Sequence, residues 1–302
     1  MPSWNTVQND IKAVGSAHDV LRRRVIAELA EYTQRNVIVY YSGWLEKEMF
    51  IRNGLSGFEV NDGDKNGFMA TIHELDRTKG LDLVLHTPGG NVAATESLVD
   101  YLRAMFEKDI RVVVPQLAMS AGTMIALSAK QIVMGKHSSL GPIDPQFNGL
   151  PAHGIVEEFN RARSEISADP STIPLWQPII AKYPPTLIGE CEKAISWADA
   201  MVTGWLADCM FEGRDDSAGA AARVVSELAS HALTLSHERH ISAAKARELG
   251  LEVLMLEDED ELQERVLTVH HACAQTLGET PAFKIIENQL GVSYISAVRS
   301  PG

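Results

Sequence analysis

The chain has 302 residues, enough for one large core or two modest ones, and its 45% hydrophobic and 22% charged content is ordinary for a globular chain in water. A formal net charge of -13 repels phosphate backbones and anionic lipid heads, which argues against nucleic acid and membrane surfaces as partners. Three dispersed cysteines, Cys191, Cys209 and Cys273, fit neither a disulfide framework nor a metal motif and read as buried thiols of a reducing, cytoplasmic compartment.

The N-terminal stretch has no basic region followed by an apolar run, so it does not read as a secretory signal. Residues 8–34 carry apolar side chains at three- and four-residue spacing and predict a helix, with Arg22, Arg23 and Arg24 on a solvated face. NVIVYY, residues 36–41, predicts a strand. The segment at 51–67, rich in Gly, Asn and Asp, predicts a loop, followed by a helix over 66–78. Next come a strand at 81–86, a Thr87-Pro88-Gly89-Gly90 turn, an amphipathic helix over 92–106, a strand at 111–114, a helix over 120–129 and a strand at 131–134. This alternation predicts an α/β fold with a parallel sheet covered by helices. The most apolar long window, residues 117–129, is too short for a bilayer span.

Beyond Pro145 the pattern turns helical, with helices expected over 186–211 and 218–233. A short helix at 242–249 takes Ser242 as its N-cap and Gly250 as its terminator. Residues 251–256 predict a last strand, and the acidic run from Glu257 to Glu261 suits the start of a final helix. No linker divides the chain. We therefore read one domain over 1–302, with an N-terminal helical arm at 1–34 and a C-terminal helical extension at 257–302.

Two features point to chemistry. Gly89-Gly90 directly follows a strand, where glycine allows close backbone approach and leaves amide N–H groups to point at an oxyanion. Ser120 opens a small-residue helix after the next strand, in the positive field of unpaired N–H groups, with the Ala121 amide as a second donor beside that of Gly90. By residue type and spacing alone, the same features also fit an ordinary helix cap and a plain turn.

LDLVLHTPGGNVAATESLVDYLRAMF, followed by VVVPQLAMSAGTMIALSAKQIVMGKHSSLGPIDPQ, resembles the Clp-protease/crotonase superfamily on its signal-peptide-peptidase-A side. It is more closely similar to the serine dehydrogenase proteinases. The resemblance extends through WQPIIAKYPP, SHERHISAAKARELGL and KIIENQLG. It implies a ββα-spiral core with a helical C-terminal elaboration, assembly into homo-oligomers, and a serine peptidase acting on peptide or protein. It also implies Ser120 as nucleophile with Gly90 and Ala121 as oxyanion donors. No cofactor is called for: there is no GxGxxG after a strand, and without a Walker-type motif any ATPase or adaptor would have to be a partner. Adjacent His270 and His271 face differently on a helix and do not suggest a metal pair.

The base is the open position. Aligned on Clp-type proteases, Ile143 stands where their histidine lies. The stretch that carries the lysine of signal-peptide-peptidase-A enzymes holds Arg161 and Arg163, which do not give up a proton usefully. Four candidates follow: His237 with Asp144 as its orienter, the preferred pair; Lys182, given burial to lower its pKa; Lys136, across a subunit interface; and His86, before the glycine turn. Val112 to Val114 is expected to line the peptide groove. Two rival readings are a non-catalytic oligomeric scaffold, supported by the missing base, and a crotonase-like acyl-CoA enzyme, which uses the same oxyanion geometry.

Overall fold

The computed structural model describes residues 16–147, 149–229 and 239–298. The first helix, α1 (Ala17–Thr33), starts with Ser16 accepting from the Asp19 N–H while the Asp19 carboxylate accepts from the Ser16 N–H. It leads into β1 (Asn36–Ser42), buried along its whole length. Two helices follow, α2 (Glu48–Arg52) and α3 (Asp64–Ile72), both partly inside the segment expected to be loop. Then come β2 (Leu81–His86), α4 (Val92–Phe106), β3 (Ile110–Val114), β4 (Leu117–Ala118), α5 (Ala121–Leu127), β5 (Gln131–Met134) and β6 (Ser139–Leu140).

A small hairpin of β7 (Gln146–Phe147) and β8 (Leu150–Pro151) precedes the helices α6 (Ala152–Ala168), α7 (Ile173–Ile180) and α8 (Leu187–Trp205). The long helix expected to 211 instead widens into a π turn at Leu206–Met210. After α9 (Ser217–Ala229) come β9 (Ile241–Ser242), α10 (Ala243–Glu248), β10 (Val253–Met255), α11 (Asp260–Glu279), β11 (Ala282–Asn288) and β12 (Ser293–Ala297).

The central sheet has the order β10-β5-β3-β2-β1-β11-β12. The run from β10 to β1 is parallel, and β11 and β12 join antiparallel at the β1 side. This is the expected α/β architecture, with one correction. The C-terminal extension is not wholly helical, because after α11 the chain returns as a β-hairpin that covers the open edge of β1.

Alternate residues of β2 face two cores. Leu83 and Leu85 pack with α3, α4, α5, α8 and α9, whereas Val84 packs with α1 and α11. The first helix therefore forms one core layer together with α11. Arg22 is fully buried there, its guanidinium paired with buried Glu287 and bonded to Thr276 Oγ1 at 3.1 Å, whereas the sequence placed it in solvent. Arg24, two residues on, is exposed, so two helical steps separate the two environments. Val112 to Val114 are buried between the layers and do not line the cavity at Ser120.

Candidate active site

The C-terminal ends of the parallel strands carry the loops that build the site. After β2, the Thr87 N–H donates to the Leu117 carbonyl at 3.1 Å, and the Met119 N–H returns a bond to the Thr87 carbonyl at 3.0 Å. These two bonds stitch the glycine turn to the segment that leads into Ser120. Thr123 then fixes the start of α5: its hydroxyl donates to the Ala118 carbonyl and accepts from the Gly141 N–H, both at 2.8 Å.

Ser120 sits at φ 50°, ψ -114°, a conformation that non-glycine residues avoid. A side-chain cap needs an extended N-cap residue, and the Ser120 hydroxyl makes no capping bond to the helix. The capping reading is therefore set aside. The turn instead presents a half-buried hydroxyl to a cavity of ≈ 410 Å³ that it lines together with Pro88, Gly89, Gly90, Pro145 and Trp197.

Both glycines are needed for contact reasons. Gly89 has φ +101°, and a Cβ there would lie 2.6 Å from the Ser120 Cβ and 3.1 Å from the Ala121 nitrogen. Gly90 has φ +157°, and a Cβ there would lie 2.3 Å from the Val60 nitrogen. The turn thus lies flat between the serine and the Val60 backbone. Val60 donates to the Gly89 carbonyl at 2.7 Å and accepts from the Asn91 N–H at 2.9 Å. Pairing on that side turns the Gly90 N–H and carbonyl to the opposite edge, where no described backbone group takes up its N–H. The Ala121 N–H, first of its helix, is likewise without a backbone acceptor. Gly90 and Ser120 line the same cavity, and the N–H groups of the two expected donors, Gly90 and Ala121, have no described backbone acceptor.

The Val60 segment is itself anchored. Buried Asp64 accepts from Tyr40 Oη at 2.8 Å and from Lys284 Nζ at 2.8 Å, and the same ammonium donates to the Glu59 carbonyl at 2.8 Å. Burial lowers the Lys284 pKa, while Asp64 opposes that shift.

The base candidates fare differently. His237 lies outside the described residues. Asp144 is 2% exposed, and its Oδ1 lies 2.7 Å from His153 Nδ1, so the described partner of the expected orienter is His153. The hydrogen bond to Asp144 raises the His153 pKa, and burial only partly offsets this. His153 was missed from the sequence.

Lys182 is exposed in the turn after α7, and Lys136 is exposed in the turn after β5. Neither lines the cavity. His86 ends β2 on the face opposite α5, its ring tilted against those of Trp44 and Tyr41 at centroid distances of 4.3 and 5.3 Å. Burial lowers its pKa to about 3, with nearby His270 adding to the shift. The Leu117 carbonyl approaches the ring but lies outside hydrogen-bond geometry, so both ring nitrogens are unpartnered. Strand alternation sends His86 away from the cavity, since it shares a face with Val84.

The chain is similar to several known proteins. The family model described as ClpP-like SDH-type serine proteinase matches residues 15–287. Two uncharacterised proteins of Methanocaldococcus jannaschii are 33% and 32% identical over 190 residues, which is 63% of this chain and 59% and 57% of theirs. The chain thus spans less than two thirds of the length of these relatives. An ATP-dependent Clp protease proteolytic subunit of Lactococcus lactis is 31% identical over 109 residues, 34% of this chain and 52% of that one. Among solved structures, a membrane-bound stomatin-specific protease in complex with a substrate peptide matches with a TM-score of 0.40 at 21% identity, over 68% of this chain and 75% of that one. Among the described residues, no helix is long and apolar enough to cross a membrane.

Proposed function

The chain belongs to the ClpP-like SDH-type serine proteinases, and from that premise we propose that it hydrolyses peptide bonds through an acyl-enzyme on Ser120. The observation that carries this reading is the Ser120 turn itself. A non-glycine residue is held at positive φ, its hydroxyl makes no capping bond, and Gly89, with no room for a side chain, lies against it. Strain of this kind costs about 1–3 kcal/mol and persists where the surroundings enforce it. Here the Thr87 and Thr123 bonds do so.

In this reading the substrate lies extended along the edge of the 89–91 segment that Val60 leaves open and pairs there as an added strand. Its scissile carbonyl points between the Gly90 and Ala121 N–H groups. Attack by Ser120 Oγ moves charge onto that oxygen, and donors already in place stabilise the tetrahedral intermediate without reorganisation. The remaining wall, with Met124, Phe147 and Trp197, is mostly apolar and suits an uncharged side chain beside the cleaved bond.

The test is hydrolysis of fluorescein-labelled casein by the full chain and by Ser120→Ala. Turnover by the wild type that falls by about 10³-fold or more in the variant is expected. Equal turnover by both would place the chemistry elsewhere.

A further inference from the structure

We propose that Glu59 selects substrates that carry a lysine or arginine side chain close to the cleaved bond. This rests on the peptidase reading above and deepens it by naming the substrate class.

Glu59 lines the Ser120 cavity, and it is the only charged residue among the described ones that do. Its direction follows from strand alternation. Phe58 and Val60 are buried on either side of it, whereas Glu59 is exposed, so its side chain leaves on the face opposite the core. Val60 pairs with Gly90 in parallel register, which sets Glu59 alongside Gly89, the residue packed against Ser120. The substrate and the Val60 segment flank the same glycine turn, so Glu59 reaches the substrate by crossing it. Gly89 and Gly90 leave that crossing clear of side chains. Two strand spacings of about 4.8 Å each separate the outer segments. A glutamate and a lysine or arginine span that distance together, and a short polar side chain does not.

The carboxylate is held in place. The Glu59 carbonyl accepts from Lys284 Nζ at 2.8 Å and from Asn61 Nδ2 at 2.9 Å. Glu59 Oε2 accepts from the Gly57 N–H at 3.1 Å, and Oε1 has no hydrogen bond among the described residues. A cation arriving there meets an acceptor that is already oriented, so little rotamer freedom is lost on binding. Lys284 does not occupy that place: its buried ammonium bonds both carboxylate oxygens of Asp64, at 2.8 and 3.1 Å.

The opposite wall has different chemistry. Trp197 stands there with Met124 and Phe147, and its indole N–H donates to Glu96 at 3.2 Å. An extended substrate thus sets an uncharged side chain against Trp197 and a basic one against Glu59. The net charge of -13 draws cationic peptides towards the chain, and an acidic side chain beside Glu59 is repelled.

The experiment uses peptides built on a sequence that the full chain cuts in casein. Each of the three residues before and after the cut is changed in turn to lysine, norleucine or glutamate. Norleucine keeps the lysine stem without its charge. kcat/KM is measured for wild type, Glu59→Gln and Glu59→Lys; glutamine still offers an acceptor to the Gly57 N–H. At a position that reaches Glu59, wild type should prefer lysine to norleucine by about 5-fold or more. That ratio, in which any general loss of activity cancels, should fall to about one in Glu59→Gln. Glu59→Lys should prefer glutamate, and high salt should shrink the wild-type ratio. A wild-type ratio near one at every position, or a lysine preference that survives Glu59→Gln, overturns the proposal and leaves the peptidase reading standing. A wild type that does not turn over casein, with Ser120 unreactive to fluorophosphonate, removes both.

Discussion

Acid should destabilise this fold through two histidines remote from the serine. His86 is 1% exposed with both ring nitrogens unpartnered, and burial takes its pKa to about 3. His270, whose Nδ1 lies 3.3 Å from Tyr41 Oη, is lowered to about 4, chiefly by burial. An unfolded chain titrates at the ordinary histidine value near 6.5. Between each folded value and 6.5 the unfolded state binds more protons, so stability is full above pH 6.5 and falls as pH drops towards 3–4. At pH 5 the linkage amounts to about 2 kcal/mol for each ring. His86→Phe isolates the first contribution. Phenylalanine keeps the ring contacts with Trp44 and Tyr41, gives up no hydrogen bond, and relieves an unpartnered buried N–H, so the variant should be at least as stable as wild type at pH 7.5. Urea unfolding at pH 7.5 and 5 is the assay. The variant should lose about 2 kcal/mol less than wild type across that interval. Equal losses would refute the reasoning, because His86 would then be titrating alike in both states.

Other consequences concern the site. Gly90→Ala should lower kcat by about 10²–10³-fold, the usual effect of losing one oxyanion donor, because its Cβ would meet the Val60 nitrogen at 2.3 Å and push the segment out of line; steady-state kinetics on casein would show it. Gly89→Ala should act on the serine itself, with slower fluorophosphonate labelling, since its Cβ would fall 2.6 Å from that of Ser120. Lys284→Met leaves buried Asp64 without its cation and should destabilise the fold by about 3–5 kcal/mol in urea titrations. A smaller fall in kcat should accompany it, as the Glu59–Val60 anchor loosens.

The sequence was most legible where local and global signals agree. The strand at 81–86 and the helix at 92–106 appear with the expected bounds, because an apolar strand, a glycine turn and an Asn91 cap all mark the same boundaries. The β11–β12 hairpin was missed although Ile285, Ile286, Tyr294 and Ile295 are strand formers and Gly291, at φ 80°, marks its turn. The preceding helix α11 had set the expectation for the whole tail. Arg22 was misplaced for a different reason: its partner Glu287 is distant in sequence, and no local pattern announces a buried ion pair.

The Gly89-Gly90 turn was legible because sharp backbone geometry restricts residue type, whereas Ser120 was singled out by the family resemblance and not by spacing. His153 was not legible as the partner of Asp144. It meets Asp144 only because the β7–β8 hairpin folds between them, and a hairpin of two-residue strands leaves almost no periodicity to read. Gly149, at φ +79°, was the available signal. The His86 candidate failed on strand parity, which was already readable: it falls in step with Val84, on the side away from α5.

The central claim is that Ser120 is a nucleophile. Its most direct test is intact-mass analysis of the full chain after exposure to a fluorophosphonate probe, followed by peptide mapping. The account predicts one covalent adduct, located on the peptide that contains Ser120 and absent from Ser120→Ala. A casein-hydrolysing wild type that forms no adduct, or an adduct that persists in Ser120→Ala, would contradict it.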